Sequence, residues 1–155
     1  MSLMSRRAFT IEWGDCDPAG IVFYPRYFAM FDWSTACLLH AGLGMPKAAM
    51  IAKYGIVGIP MVDTRAKFHI PSTFGDAVVI ESRMAGFGRS SFEVAHRLLK
   101  GDALAVECTE KRVWVGRHPD DPARLKGVPI PPEIVAAFQA GAAGFPARID
   151  SSPSN

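Results

Sequence analysis

Two carboxylates, Asp15 and Asp17, flank Cys16 in the segment Gly14-Asp15-Cys16-Asp17-Pro18-Ala19-Gly20. Its Asp, Pro and Gly residues mark a turn-rich loop. The loop leads through Ile21-Val22-Phe23 into a helix expected over residues 24–41, with Pro25 in the first turn, where its missing N–H costs nothing. A helix start carries unpaired backbone N–H groups and the positive end of the helix dipole, so it suits an oxyanion. A carboxylate beside it can attack a carbonyl as a nucleophile or take a proton from attacking water. These are the parts needed to transfer an acyl group to water. A plainer reading stands beside it: Asp15 or Asp17 caps the turn.

The elements that must hold this loop follow from hydrophobic period. Residues 8–13 alternate, with Phe9, Ile11 and Trp13 on one face, which predicts a strand. In the helix, Tyr24, Tyr27, Phe28, Phe31, Thr35 and Leu38 share one face. Phe23, Met30, Trp33, Cys37 and Leu39 leave little polar surface elsewhere, so burial on most sides is expected. Gly42 and Gly44 suit its end. A short helix is expected over residues 47–53 after Pro46. Four strands follow, over residues 58–69, 77–84, 91–100 and 103–115, rich in Val, Ile, Phe and Thr and separated by Pro and Gly turns. Lys100-Gly101-Asp102-Ala103 reads as a tight hairpin. Pro131-Pro132-Glu133 opens a helix to about Gln139. One long apolar helix followed by four strands in meander makes an α+β domain whose sheet curls around the helix.

Composition bounds the rest. The chain has 155 residues, 49% hydrophobic and 21% charged, enough for one packed domain and too apolar for disorder. The domain is expected over residues 8–139, between a flexible N-terminus (1–7) and an Ala/Gly/Ser/Pro-rich flexible tail (140–155). A net charge of +2 argues against a nucleic-acid partner. No apolar run approaches the ~18 residues of a membrane span, and the N-terminal arginines precede no apolar stretch of a signal peptide. Three cysteines with no paired spacing point to reduced thiols and a cytoplasmic protein. No zinc-type Cys/His spacing and no phosphate-binding Gly-rich loop appears.

The stretch from Gly14 to Phe28, above all Asp17-Pro18-Ala19-Gly20-Ile21-Val22-Phe23-Tyr24-Pro25, resembles the active-site signature of hot-dog-fold acyl-CoA thioesterases of the 4-hydroxybenzoyl-CoA thioesterase family, and is most similar to its Pseudomonas-type members. The similarity runs from about residue 8 to 138 and takes in Gly55-Ile56-Val57-Gly58-Ile59-Pro60 and Ser91-Phe92. It implies a hot-dog fold, a long helix wrapped by a five-stranded antiparallel sheet. It implies hydrolysis of an aromatic acyl-CoA, such as 4-hydroxybenzoyl-CoA, to free acid and CoA. Asp17 is then the catalytic carboxylate, and the backbone N–H of Tyr24 polarises the thioester carbonyl. An acidic residue at the place of Asp32 accepts a hydrogen bond from the substrate's ring hydroxyl across a subunit interface; the alternative is a helix charge paired with an arginine. No metal and no cofactor is implied. A homo-oligomer is, dimer or tetramer, in which neighbouring sheets join.

One departure from the pattern concerns CoA. Where the family carries a basic run for the CoA phosphates, this chain reads Phe87-Gly88-Arg89-Ser90-Ser91, so phosphate binding falls to Arg89, Ser90 and Ser91, helped by Arg117, Arg124 or Lys126. His40, His69, His96 and His118 are scattered and given no role. Cys16 is read as loop packing, because neighbouring carboxylates disfavour a thiolate. Arg65 and Lys67 alternate on a solvated strand face. Trp33 and Phe31 either line an acyl pocket or belong to the core. Three other functions stay open: a short-chain or fatty acyl-CoA thioesterase of the same fold, a non-catalytic acyl-CoA-binding module, and a hydratase. The hydratase would need a histidine in the loop before the helix, and none lies between Gly14 and Tyr24.

Overall fold

Side chains that compete for backbone hydrogen bonds decide where the first strand stops. In the computed structural model, which describes residues 3–139, β1 runs Ser5–Thr10. It starts three residues earlier than alternation suggests and ends before Trp13. There the Glu12 N–H donates to Asp15 Oδ2 at 3.0 Å, and the Asp15 N–H to the Glu12 carbonyl at 3.1 Å. These bonds wind Trp13–Asp15 into a 3₁₀ turn. Ile11 is fully buried as expected, but Trp13 leaves that face and is 75% exposed, edge-on to Phe74. The expected tail, residues 140–155, lies outside the described residues.

The long helix, α1, spans Pro25–Leu43 with Pro25 in its first turn. It runs through Gly42 and ends at Gly44, whose φ of +68° is the left-handed cap that glycine adopts freely. Gly42 has another use: the ring of Phe138 occupies the space a side chain there would need. After α2 (Lys47–Tyr54) come β2 (Met61–Phe68), β3 (Ala77–Phe87), β4 (Ser91–Lys100) and β5 (Ala103–Val113), then α3 (Pro132–Gln139). Gly101, at +58°, opens the two-residue β4–β5 turn, while Asp102 keeps a negative φ. That is the pattern of a type II′ hairpin.

The sheet has five strands, all antiparallel, in the order β1-β3-β4-β5-β2. Only β3, β4 and β5 form the expected meander. β2 pairs with β5 at the far edge, and residues 69–76 carry the chain back across the end of the sheet. The His69 and Ile70 N–H groups bond the Ala105 carbonyl on the way, and Val22 N–H bonds that of Ser72. The strand expected to reach residue 115 breaks at Trp114, whose N–H turns to the Ser90 carbonyl. Beyond it β6 (Val115–Arg117) and β7 (Leu125–Gly127) make a small separate hairpin, which the turn signals did not disclose.

The sheet packs against α1 as the hot-dog arrangement requires. One half of the core joins Tyr27, Met30 and Phe31 to Ile11, Val78, Ile80, Leu98 and Val106. The other joins Leu38 and Leu39 to Met50, Phe92, Val94, Trp114, Ile134 and Phe138. Burial of α1 on nearly all sides does not hold in one chain. The sheet covers one face only, and Ala29, Asp32, Trp33 and His40 remain exposed, Trp33 beneath the Arg7 guanidinium. No helix among the described residues is long and apolar enough to cross a membrane.

Candidate active site

Backbone bonds pin the loop that precedes α1. Asp17 N–H donates to the Ile21 carbonyl, Gly20 N–H to that of Asp17, and Phe23 N–H to that of Asp15, each within 2.9 Å. Single bridges join Cys16 to Val22 and Ile21 to Thr73. Gly20, at φ +81°, makes the reversal. In this frame Asp17 is half-buried, and its Oδ1 accepts the Ala19 N–H at 2.8 Å. The turn-capping reading is therefore met by one oxygen. The other, Oδ2, has no hydrogen-bond partner among the described residues.

Tyr24 caps α1 with backbone angles already helical (φ −51°, ψ −34°). Its carbonyl accepts the Tyr27 N–H, while its own N–H finds no acceptor among the described residues. The Tyr24 ring lies outside, 61% exposed, against Phe23 and Phe68. A free N–H at a helix start and a free carboxylate oxygen thus occur in one short, rigid segment. Along the neighbouring face, a groove of about 480 Å³ runs between β1 and α1, lined by Arg7, Phe9, Asp15, Arg26, Met30 and Trp33 among others. Phe31 lines no such space. It is fully buried and stacks on His96 at 5.0 Å.

Arg89, Ser90 and Ser91 lie elsewhere. Arg89 and Ser90 lie in the β3–β4 turn and Ser91 opens β4, with Arg89 exposed and both serines half-buried. β3 starts beside the Asp17 loop and ends at this turn, roughly 30 Å away at about 3.3 Å per residue. What gathers at the turn is the hairpin β6–β7. The Ile130 N–H bonds the Arg89 carbonyl and the Trp114 N–H that of Ser90. Arg117 and Lys126 sit on the two hairpin strands, and Arg124 immediately precedes β7. The cations named from sequence therefore share one end of the sheet, opposite Asp17 within the chain.

Asp32 is half-exposed on α1, and its Oδ1 accepts a 2.7 Å bond from Arg112 Nη2. Behind it stands a buried polar cluster. Arg112 Nε donates to Glu110 Oε2 at 3.0 Å, and the Thr35 hydroxyl to the same oxygen at 2.7 Å. His96 Nε2 lies 3.3 Å from Glu110 Oε1, and its Nδ1 shares a 2.6 Å bond with the Ser82 hydroxyl. His96 Nε2 also lies 3.2 Å from the Thr35 hydroxyl, whose own proton goes to Glu110. Burial pushes the Glu110 carboxyl upward, but hydrogen bonds and charge from His96, with bonds from Arg112 and Thr35, outweigh it and hold Glu110 below its ordinary range. Burial likewise weakens the Arg112 charge, and its bonds to Glu110 and Asp32 more than restore it.

No single residue discloses this cluster, and the scattered histidines give no hint that His96 belongs to it. The readable signal was on β5, where Val106, Cys108, Glu110 and Arg112 alternate inward, so that two charges stand at core positions. Among the described residues, no group of three or more His, Cys, Asp or Glu side chains is placed to hold a metal ion.

Comparison with known proteins bears on this geometry. The family description "Thioesterase-like superfamily" matches residues 11–138. A 4-hydroxybenzoyl-CoA thioesterase of Pseudomonas sp. (strain CBS-3) is 32% identical over 131 residues, 81% of this chain and 90% of that protein. Among solved structures, a mutant 4-hydroxybenzoyl-CoA thioesterase complexed with 4-hydroxybenzoyl-CoA superposes with a TM-score of 0.80, at 27% identity over 88% of this chain and 99% of the other. A gentisyl-coenzyme A thioesterase does so with a TM-score of 0.71, at 31% identity over 86% and 98%. On the match that spans nearly the whole described domain, this chain belongs to the thioesterase-like superfamily and is a thioester hydrolase.

Proposed function

We propose that the protein hydrolyses the thioester of an aromatic acyl-CoA, with 4-hydroxybenzoyl-CoA as its substrate, to the free acid and CoA. The observation that carries this reading is the pairing, in one pinned segment, of the free Tyr24 N–H with the free Oδ2 of Asp17. Relatives that act on hydroxylated benzoyl groups supply the substrate class. The thioester oxygen sits on the Tyr24 N–H, which meets the negative charge that develops as the carbonyl becomes tetrahedral. One such donor is worth about 3–4 kcal/mol in a transition state. Asp17 either attacks the carbonyl carbon or takes the proton from the water that does. Collapse of the tetrahedral centre expels the CoA thiolate; where water attacks, this gives the free acid directly, and where Asp17 attacks, it leaves an acyl-Asp17 anhydride that water then hydrolyses to the acid and the free carboxylate. Asp32 receives the ring hydroxyl, and a site built for that bond discriminates against rings that lack it.

Two copies complete this site. β2 is an edge strand with Met61, Val62 and Phe68 exposed. Its Met61 end faces Arg112 on β5 and its Phe68 end faces Val106. Antiparallel pairing of two β2 edges therefore sets the Arg89 end of one chain against the Asp17 end of the other. Arg89, Ser90 and Ser91, with Arg117, Arg124 and Lys126, then bind CoA phosphates for the partner's thioester. The assembly is a homodimer or a tetramer of such pairs, with no nucleic-acid or membrane partner. Three cysteines without a disulfide suit a cytoplasmic enzyme.

The test is kinetic. Asp17→Asn loses at least ~100-fold in kcat on 4-hydroxybenzoyl-CoA with the fold intact by circular dichroism, as befits a group that attacks or moves a proton. Wild-type rates in that variant would remove Asp17 from the mechanism. Faster turnover of butyryl- or palmitoyl-CoA by the unmodified enzyme would reassign the substrate.

A further inference from the structure

The bond between Asp32 and Arg112 is unequal. Arg112 is 4% exposed at its side chain and is held by three acceptors: Glu110 Oε2 at 3.0 Å, Asp32 Oδ1 at 2.7 Å and the Ile59 carbonyl at 3.4 Å. Without Asp32, two acceptors would still fix the guanidinium. Asp32, 56% exposed at its side chain, has Arg112 as its one hydrogen-bond partner among the described residues. Without Arg112 it would be an ordinary surface carboxylate, free to change rotamer. The dependence runs from Asp32 to Arg112.

Arg112 is itself immobilised from behind. Glu110, 1% exposed at its side chain, receives Arg112, Thr35 and His96, and His96 is locked by Ser82 beneath the ring of Phe31. The cluster reaches from the middle of the sheet to the outer side of α1. A guanidinium is a rigid planar fork, and binding it at Nε and Nη1 fixes the direction of Nη2. The carboxylate that accepts from Nη2 is fixed in turn, with Oδ2 left over as a hydrogen-bond acceptor.

We propose that Arg112 is a positioning residue for substrate discrimination: it holds the Asp32 carboxylate so that Oδ2 accepts a hydrogen bond from a donor on the acyl ring. This deepens the reading above and rests on it, since Asp32 must face the ring. The class of acyl group follows. A carboxylate already bonded to a cation keeps only acceptor capacity, so it favours rings bearing a hydroxyl or amino donor and disfavours rings bearing a carboxylate.

The experiment measures kcat/KM of the full-length enzyme on 4-hydroxybenzoyl-CoA and benzoyl-CoA, and reads the ratio of the two. The variants are Asp32→Ala, Arg112→Met, Arg112→Lys and the double variant Asp32→Ala/Arg112→Met. Asp32→Ala lowers the ratio about 10- to 100-fold, the usual worth of a bond to a charged group. Arg112→Met lowers it nearly as far, and the double variant no further than Asp32→Ala, because both act through one carboxylate. Arg112→Lys keeps the buried charge and hence the fold. Its single ammonium replaces the fork, and the ratio falls to an intermediate value. A purely structural role would depress both substrates alike and leave the ratio at its wild-type value in Arg112→Lys and Arg112→Met, which overturns the proposal while Asp32→Ala still shifts it. A wild-type ratio in Asp32→Ala would instead overturn the underlying reading of Asp32.

Discussion

The Thr35 hydroxyl donates to Glu110 Oε2 at 2.7 Å, across 75 residues of sequence, and ties the middle of α1 to β5. The same carboxylate holds Arg112 and His96, so three buried side chains share its two oxygens, and Ser82 backs His96 from behind. Such a cluster is costly to break from one side, because the partners are left buried with charge or donors unmet. Glu110→Ala is therefore expected to lower unfolding stability by about 3–5 kcal/mol in urea denaturation followed by circular dichroism. A loss below about 1 kcal/mol would mean that water replaces the carboxylate without penalty.

Acid unfolding follows from the same residue. Glu110 is held below its ordinary value of 4.5 in the fold and returns to it on unfolding. A carboxyl lowered by folding stabilises the fold above its unfolded value, and that contribution is lost as pH falls through the folded one. The free energy of unfolding should accordingly be flat in this respect above about pH 5 and decline below 4.5. Glu110→Gln should show a shallower decline than wild type in denaturant titrations between pH 6 and pH 3. Parallel curves for the two proteins would show that other carboxylates govern acid stability.

The two halves of this picture differ in how far residue order discloses them. Local signals carried the loop, the strands and α1: alternation, the Pro25 start, and Asp, Pro and Gly at the turns. The family resemblance is carried chiefly by one contiguous stretch, Gly14 to Phe28. Arg112 and Asp32, by contrast, are 80 residues apart and meet because β5 lies under α1. Nothing local in either residue names the other. Trp13 misled for the opposite reason: its alternation with Ile11 was genuine, but the Asp15 carboxylate captured the Glu12 N–H and turned the chain first. The place of β2 beside β5 was not legible either, because residues 69–76 are long enough to reach more than one strand.

Gly42 offers a packing test. Glycine inside a helix normally costs stability, and alanine there restores it by up to about 1 kcal/mol. Here a Cβ would enter the Phe138 ring and press on Leu3. Gly42→Ala should therefore destabilise the protein by about 1–3 kcal/mol through displacement of α3. Thermal melting that rose in Gly42→Ala would show that α3 yields freely.

Cys108 lies on β5 against Thr64, and burial pushes its thiol up to about 11. The thiolate is the reactive form, so at pH 8 the folded protein should leave Cys108 unmodified by iodoacetamide, while denaturant exposes it fully. Peptide mass spectrometry reads the site directly. Alkylation of Cys108 in the folded protein as fast as that of half-buried Cys16 would mean that β2 detaches from β5 easily.

Tyr24 separates backbone from side-chain chemistry. Its free N–H is what the proposed mechanism uses, and its ring is 61% exposed beside Phe68. Removing the phenol oxygen leaves the N–H, the helix start and the ring contacts in place. Tyr24→Phe is expected to keep kcat on 4-hydroxybenzoyl-CoA within about threefold, against the loss of ~100-fold or more in Asp17→Asn. A fall of comparable size in Tyr24→Phe would assign the hydroxyl, rather than the amide, to the thioester oxygen. The contrast is informative because both residues lie in one pinned loop, so a general distortion of that loop would lower both variants together.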